Sequence, residues 1–384
     1  MQNKYLPFAL PDISEEEINA VVHCMRSGWL TTGPMAKQFE TDFSNFLGGN
    51  NHSVALNSAS MGLQLAMEAL GVKEGDEVII PTYTFSATGM MAVHLGAKPV
   101  LVDVNPHTLN IDPASIERAI TKRTKAIIPV HIAGLACLMD EINAIAKKHN
   151  LKVIEDAAHC LPTTYKGKII GNNTSDATIF SFYATKTITT GEGGMIVTPH
   201  EEVAKRCQIM RLHGISRDAF DRYTARGAKW FYEIVANGYK CNLTDIAASI
   251  GIEQLKKANS FLARRTQIAN LYNEHLKDLP IELPAKALAG DVHSWHLYVI
   301  KLKGEVKIKR DDFIVKMDEY GIGCSVHFIP LHYHPFWQQK LQVKIGDFPH
   351  AEKAFERVVS LPIYTKMTDD DVMNVIAAVR KILC

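Results

Sequence analysis

Short apolar runs alternate with amphipathic stretches over residues 53–199. Each run holds three or four residues, is rich in branched side chains and is flanked by Gly, Pro or Asp, which is typical of fully buried strands. The runs cover residues 54–56, 77–80, 99–102, 126–128, 152–154, 177–180 and 195–197. Stretches between them, such as 61–70 and 139–148, show helical spacing. The alternation predicts a mostly parallel sheet wrapped by helices, with ligands collecting at the carboxyl ends of its strands.

The pattern changes beyond Thr244. Helical spacing of apolar residues continues over residues 245–258, 263–279, 310–320 and 369–383. Strand candidates return at residues 297–302 and 324–328. Because a single core rarely grows beyond about 250–300 residues, we expect two domains. These are a large one over residues 1–248 and a smaller C-terminal α+β domain over residues 249–384.

Composition argues against several classes of partner. The 384 residues carry a formal charge of +1, which creates no field able to gather nucleic acid or an anionic membrane surface. No apolar run reaches the length of a membrane span, and the N-terminus lacks the pattern of a secretory signal. The seven cysteines are scattered without metal-binding spacing, which favours reduced thiols in a cytoplasmic protein. We expect no nucleic acid and no membrane as partners.

Lys186 is the leading candidate for chemistry. It lies between a predicted buried strand and the return Gly191-Glu192-Gly193-Gly194, where the backbone can approach a ligand closely. Partial burial there disfavours the charged ammonium and frees the amine to attack a carbonyl, as a Schiff-base lysine must. The plainer interpretation is a solvated lysine in a surface loop, which is the more common fate of such a residue.

Asp156 and His159 give a second signal. Asp156 ends an apolar strand at the sheet edge where ligands bind, and His159 follows about one turn later. A buried carboxylate needs a cationic partner, and unit charges about 4 Å apart attract by about 4 kcal/mol at an effective dielectric of about 20. Asp156 could therefore hold a pyridine nitrogen protonated and make the ring an electron sink. Capping of the following helix is the alternative role.

Two weaker signals follow neighbouring strands. Ser58, Ala59 and Ser60 join a strand to a helix, and free amides at a helix start bind phosphate well. The same residues also suit ordinary N-capping. Phe85 follows the next predicted strand and could lie against a planar cofactor opposite His159, although core packing is the commoner role of phenylalanine.

Together these motifs resemble the sugar aminotransferase family named after its DegT and StrS members, from about residue 6 to the C-terminus. The blocks that carry the resemblance lie at residues 27–34, 75–79, 129–131, 155–159, 181–186, 191–194 and 238–245. The resemblance implies a fold type I aminotransferase, with a mostly parallel seven-stranded α/β sheet, flanking helices and a smaller C-terminal α+β domain. Some family members carry histidine at the Schiff-base position and are dehydrases, and Lys186 argues against that branch.

The resemblance also implies a pyridoxal 5'-phosphate cofactor. The implied contacts are Lys186 for the Schiff base and proton transfer, Asp156 for the pyridine nitrogen, Phe85 and His159 for the two ring faces, and Ser58, Ala59, Ser181 and Asn242 for the phosphate. Asn242 would come from the neighbouring subunit. The protein would then be a homodimer with shared active sites.

Within the family, residues 211–219, 295–297 and 326–328 resemble enzymes that aminate C4 of UDP-linked 4-keto sugars for surface polysaccharide or lipid A. The implied amino donor is L-glutamate, which leaves as 2-oxoglutarate before a nucleotide-linked keto sugar accepts the amino group. The sugar pocket is expected between subunits, near Trp29, Thr31, His213, Lys240 and His327. Phe85 and Tyr183 replace the tryptophan and histidine frequent in that subgroup, so amination at C3 and dTDP- or GDP-linked sugars stay open as alternatives.

A metal-dependent enzyme is the alternative from another class. His327, His332 and His334 cluster in the chain, and the last two could face one way on a strand. No cysteine or carboxylate completes a recognisable ligand set beside them. A binding protein that keeps the fold without catalysis is a further alternative, and the presence of Lys186 and Asp156 weighs against it.

Overall fold

Two N-terminal helices precede the sheet in the computed structural model, which describes residues 5–172, 175–216 and 231–384. Helix α1 spans Glu15–Ser27 and α2 spans Pro34–Phe46. The Ser14 amide donates to the Glu17 carboxylate (2.9 Å), as in a capping box, and the acidic first turn suits the helix dipole. Gly28, with φ of 76°, ends α1 in the left-handed conformation that favours glycine.

A seven-stranded sheet forms the centre of the molecule. Its strands are β1 (His52–Leu56), β2 (Glu77–Pro81), β3 (Lys98–Val102), β4 (Thr124–Ile127), β5 (Lys152–Asp156), β8 (Ala177–Ser181) and β9 (Gly194–Thr198), and a separate hairpin holds β6 (Thr164–Tyr165) and β7 (Lys168–Ile169). The order is β1-β9-β8-β5-β4-β2-β3. Strand β9 is antiparallel to both neighbours, and the other neighbouring strands pair in parallel. Each predicted run overlaps one of these strands, which confirms the predicted α/β sheet.

Helices cover both faces of this sheet. They are α3 (Ala59–Ala69), α4 (Ala87–His94), α5 (Pro113–Ala119), α6 (Met139–His149) and α7 (Glu201–Met210). Along β2, Val78 and Ile80 enter the core shared with α3 and α4, whereas Ile79 enters the core shared with α5 and α6. Alternate residues of a strand point to opposite faces, so a strand buried on both sides must be apolar throughout.

A single long helix, α8 (Asp245–Leu276), follows the large sheet. The prediction of two helices over 245–258 and 263–279 was therefore wrong. Asn259 and Ser260 lie on the exposed side of the helix while Ala258 and Phe261 remain buried, so the apolar stripe is not interrupted. The first half of α8 packs on α1 and α2, and its second half enters a second hydrophobic core.

A three-stranded antiparallel sheet with the order β10-β11-β12 carries this second core. The remaining elements are β10 (Ile281–Glu282), β11 (Tyr298–Leu302), α9 (Arg310–Glu319), α10 (Pro335–Leu341), α11 (Pro349–Phe355), β12 (Val358–Leu361) and α12 (Asp369–Leu383). The strand predicted at 324–328 was wrong, because only Ser325 forms an isolated bridge, to Ser360. The chain leaves the sheet edge there, and His327 and Phe328 line a cavity instead.

The cysteines are free thiols, and five of the seven are buried. Within residues 5–172, 175–216 and 231–384, no helix combines the length and the apolar character that a membrane crossing requires.

Candidate active site

One cavity of about 390 Å³ opens where the carboxyl ends of β1, β2, β5 and β8 meet the start of β9. Strand ends at a change of strand direction are the usual ligand position in α/β sheets. Eight predicted site residues line it, namely Lys186, Asp156, His159, Ser58, Ala59, Phe85, Ser181 and His327. Residues separated by up to 270 positions in the chain are thus brought to one space, from Ser58 to Phe328.

Asp156 is the last residue of β5, and its carboxylate lies buried at the cavity wall. Its Oδ2 accepts a hydrogen bond from the Thr88 hydroxyl (2.9 Å), and its Oδ1 accepts one from the Ala158 N–H (3.2 Å). Burial raises the pKa of the carboxyl, and these hydrogen bonds and the charge of Lys186 offset only part of that rise. A cation bound beside Asp156 would therefore stabilise its charged form.

Lys186 lies in the loop that follows β8, beside the return into β9. Burial lowers the pKa of its ammonium to about 8, against the opposing attraction of Asp156. The loop is fixed by its backbone, because the Phe182 N–H donates to Gly193 O (2.9 Å) and the Lys186 N–H donates to Tyr183 O (2.9 Å). At neutral pH roughly a tenth of such amines are uncharged, which provides a nucleophile.

An anion cradle lies at the start of α3. The Ser58 hydroxyl accepts from the Met61 N–H (3.3 Å). The backbone amides that follow Ser58 belong to the first turn of α3, whose N–H groups have no acceptor within the helix. Ser181, at the end of β8, completes the wall. A Cβ at Gly194 would lie 2.5 Å from the Ala59 nitrogen, so only glycine allows β9 to pass this close to the cradle.

Aromatic rings form the opposite wall. The His159 ring lies 5.8 Å from the Phe328 ring and nearly parallel to it, and Phe85 lies 6.0 Å from Phe328. The Nδ1 of His159 accepts from the Ala133 N–H (3.3 Å), so a neutral ring carries its proton on Nε2. Burial holds the pKa of His159 well below its usual range, which keeps the ring neutral.

Three residues that line the cavity or contact its residues were not predicted as site residues from the sequence. Thr88 on α4 donates to Asp156, and its signal was a small polar residue in the first helical turn after β2. His296 lines the cavity beside His159, with ring centroids 4.3 Å apart. Phe328 was predicted to lie in a strand, although it directly follows His327, which was predicted as a site residue; it lines the cavity.

Five predicted residues do not line this cavity. They are Trp29, Thr31, His213, Lys240 and Asn242. Asn242 donates to the Thr32 hydroxyl (2.5 Å), accepts from Lys240 and borders a separate cavity of about 300 Å³. The Trp29 indole donates to Thr32 O (3.2 Å), so it belongs to the same region.

The histidine cluster does not form a metal site. His332 lies in a short 3-10 turn, Leu331–Tyr333, and not on a strand. Its Nδ1 is bonded to the Thr82 hydroxyl (2.7 Å) and its Nε2 to Glu352 (3.1 Å), so neither nitrogen is free for a metal. His327 is bonded through Nδ1 to the Ser360 hydroxyl (2.9 Å). Across the described ranges, no group of three His, Cys, Asp or Glu residues could hold a metal ion.

The residues that line the cavity around Lys186 and Asp156 fit pyridoxal phosphate. The donor set offers a buried carboxylate for a protonated ring nitrogen, a helix start for a phosphate and an amine of lowered pKa for an aldehyde, with aromatic rings beside them. The close approach at Gly194 preserves the phosphate cradle. A doubly covered, mostly parallel sheet with this site defines an enzyme of the fold type I aminotransferase class.

The chain belongs to the DegT/DnrJ/EryC1/StrS aminotransferase family, whose model matches residues 11–380. It is 52% identical over 384 residues to the uncharacterized protein MJ1066 of Methanocaldococcus jannaschii, covering 100% of this chain and 99% of that protein. It is 46% identical to the spore coat polysaccharide biosynthesis protein SpsC of Bacillus subtilis, covering 100% and 98%.

A solved structure agrees with this membership. Spr1654 of Streptococcus pneumoniae, described as a sugar aminotransferase, superposes in its PLP-form with a TM-score of 0.91 at 35% identity, covering 99% of this chain and 100% of that one. A PMP-form of the same protein is also solved. The protein is a pyridoxal-phosphate-dependent transaminase.

Proposed function

We propose that this transaminase moves the amino group of L-glutamate to a keto carbon, C4, of a UDP-linked keto-deoxy sugar used for surface polysaccharide or lipid A. The observation that carries the proposal is the convergence of Lys186 and Asp156 on one cavity with an anion cradle. The sugar part is supported by the description of Spr1654, and the polysaccharide part by the name of SpsC.

In the proposed reaction Asp156 stabilises charge and Lys186 transfers protons. When bound, the cofactor supplies an electron-withdrawing ring that stabilises negative charge on the carbon bonded to nitrogen. Asp156 holds a proton at the pyridine nitrogen. Lys186 removes a proton from the donor amino acid in one half-reaction and returns one to the sugar carbon in the other, and its pKa of about 8 suits both directions near neutral pH.

The charges of the cavity support the proposal that a second copy completes it. Among the described residues that line it, Lys186 is the only lysine or arginine. A nucleotide diphosphate and the carboxylates of glutamate both need cationic partners. Lys240 and Asn242 contact each other outside the cavity. In a homodimer, the neighbouring subunit would contribute these two residues to the cavity and so supply a positive charge and an amide.

The substrate assignment is tested by assaying glutamate-dependent amination over a panel of keto sugars. The panel holds 4-keto and 3-keto sugars, each linked to UDP, dTDP or GDP. We expect the highest kcat/KM for a UDP-linked 4-keto sugar, with 2-oxoglutarate formed in equal amount. A higher kcat/KM for a 3-keto sugar or a dTDP-linked sugar would overturn the C4 and UDP assignments while leaving the transaminase in place.

A further inference from the structure

Arg265, near the middle of α8, is buried without a carboxylate. It is 4% exposed, and among the described residues no Asp or Glu pairs with it. Its Nη1 donates to three carbonyl oxygens, those of Trp295 (3.1 Å), His296 (3.3 Å) and Ile363 (2.8 Å). Burial lowers the pKa of this guanidinium to about 10. A desolvated charge is costly to bury, and the hydrogen bonds to these three carbonyl oxygens offset part of that cost.

Arg265 holds a strained turn. Trp295 has φ of 52°, in the left-handed region that bulky residues rarely adopt. The turn is tied on its other side to the loop after β4, because the Ser294 N–H donates to Gly134 O (3.2 Å) and the Leu297 N–H donates to Ala133 O (3.2 Å). Backbone contacts on two sides therefore fix where the His296 side chain points.

The turn and the loop converge on His159. The Ser294 hydroxyl donates to His159 O (2.8 Å), and the Ala133 N–H donates to His159 Nδ1 (3.3 Å). The His296 ring packs on the His159 ring at 4.3 Å. The His296 Nδ1 is buried without a hydrogen-bond partner among the described residues, so its ring contributes by packing and not through that nitrogen.

We propose that His296 and Arg265 are positioning residues that act through His159, with Arg265 fixing the Trp295–His296 turn and His296 holding the His159 imidazole in the cavity wall. The inference rests on the placement of the cofactor ring against His159 in the proposed site. Close ring pairs contribute modestly, so loss of the His296 ring is expected to weaken cofactor binding by several-fold, up to about tenfold.

The test measures the cofactor dissociation constant of the full chain by its absorbance, for His296→Ala, His296→Phe and His159→Ala. We expect His296→Ala to raise the constant several-fold and His296→Phe, which keeps a ring, to stay within about twofold of the parent protein. His332→Ala is the matched control, since His332 is also buried (0% exposed, against 6% for His296) but does not line the cavity. Its dissociation constant is expected to stay unchanged.

A double-mutant cycle separates positioning from general damage. If His296 acts through His159, adding His296→Ala to His159→Ala changes the dissociation constant no further, and Arg265→Lys is likewise without effect in that background. Full additivity, or an unchanged constant for His296→Ala alone, would overturn the inference. If His159→Ala itself leaves the constant unchanged, the placement of the cofactor against His159 is wrong and the inference fails with it, a result distinct from additivity.

Discussion

Lys186 and Asp156 each carry a charge that burial disfavours, and each offsets part of that cost for the other. The pKa of Asp156 is raised and that of Lys186 is lowered, so both groups are displaced toward neutrality. Such opposed displacements in one cavity are characteristic of catalytic sites. The two side chains therefore suit a ligand that carries a cation at one end, beside Asp156, and a carbonyl at the other, beside Lys186.

The lowered pKa of Lys186 predicts a pH dependence for the apoprotein. Only a neutral amine can attack an aldehyde, so with Lys186 in its proposed role the rate of covalent attachment should rise with pH through a midpoint of about 8. Asp156→Asn removes the attraction that stabilises the ammonium, so the midpoint should move to lower pH. Stopped-flow absorbance after mixing apoprotein with pyridoxal phosphate measures both. A midpoint near that of an ordinary solvated lysine would show that Lys186 is not desolvated.

Sequence reasoning singled out Lys186 and Asp156, whose chemistry is distinctive, and missed residues that act through contact with the residues of the cavity. A lysine before a glycine-rich return and a carboxylate at a strand end can each be recognised from the local sequence. Thr88 contacts Asp156 across 68 positions of sequence, and nothing in a lone threonine indicates that partner. The position of the His296 ring depends on a turn that Arg265, on helix α8, holds by hydrogen bonds. Long-range contacts of common residues leave no local pattern.

At the scale of elements, the strands were predictable because burial on both faces forces continuous apolar runs. The helix α8 was divided wrongly because polar residues on its exposed side resembled a break. The segment 324–328 has the alternation of a strand, yet it leaves the sheet after one bridge. Its aromatic residues line the cavity, and tertiary context overrides β propensity there.

Strand β1 is an edge strand whose outer side is covered by an ion pair. Ala55 donates its N–H to Glu40 (2.8 Å), and Arg211, paired with Glu40, donates to Ala55 O (2.9 Å). Both charged side chains are largely buried. The pair therefore satisfies backbone groups that would otherwise be open to pairing with another chain.

Breaking this pair should destabilise the fold. Glu40→Ala removes the largely buried carboxylate that pairs with Arg211 and accepts from the Ala55 N–H, and we expect a loss of about 3 kcal/mol in the free energy of unfolding. Glu201→Ala is the control, because its pair with Lys205 is exposed and contributes less than about 1 kcal/mol. Urea unfolding of the apoprotein followed by circular dichroism measures both. Equal losses for the two variants would contradict the role of Glu40 at the strand edge.

At the scale of the whole molecule, the predicted substrate residues fall into two groups. His327 lies with Lys186 in the cofactor cavity, whereas Asn242 borders another cavity and is contacted there by Lys240. A homodimer with shared sites would join the two groups, because a two-fold axis places one cavity of each copy against the other copy. The resemblance to the family suggested this arrangement, which a single sequence cannot show.

Shared sites predict that two defective subunits restore activity when mixed. In a mixed dimer of Lys186→Ala and Asn242→Asp subunits, one site receives Lys186 from one chain and Asn242 from the other, both intact. Mixing the purified variants under exchange conditions should raise activity toward a quarter of the parent value, since about half of the dimers are mixed and each has one intact site. Activity that stays at the level of the unmixed variants would place Asn242 within its own subunit's site.

We propose that Lys186 is the amine that forms a bond to the cofactor aldehyde. The direct measurement is borohydride reduction of the purified protein with pyridoxal phosphate, followed by proteolysis and mass spectrometry. We predict one peptide carrying the reduced pyridoxyl phosphate group, with the modification on Lys186, and its absence in Lys186→Ala. Modification of a different lysine, or equal labelling of Lys186→Ala and the parent protein, would contradict the account.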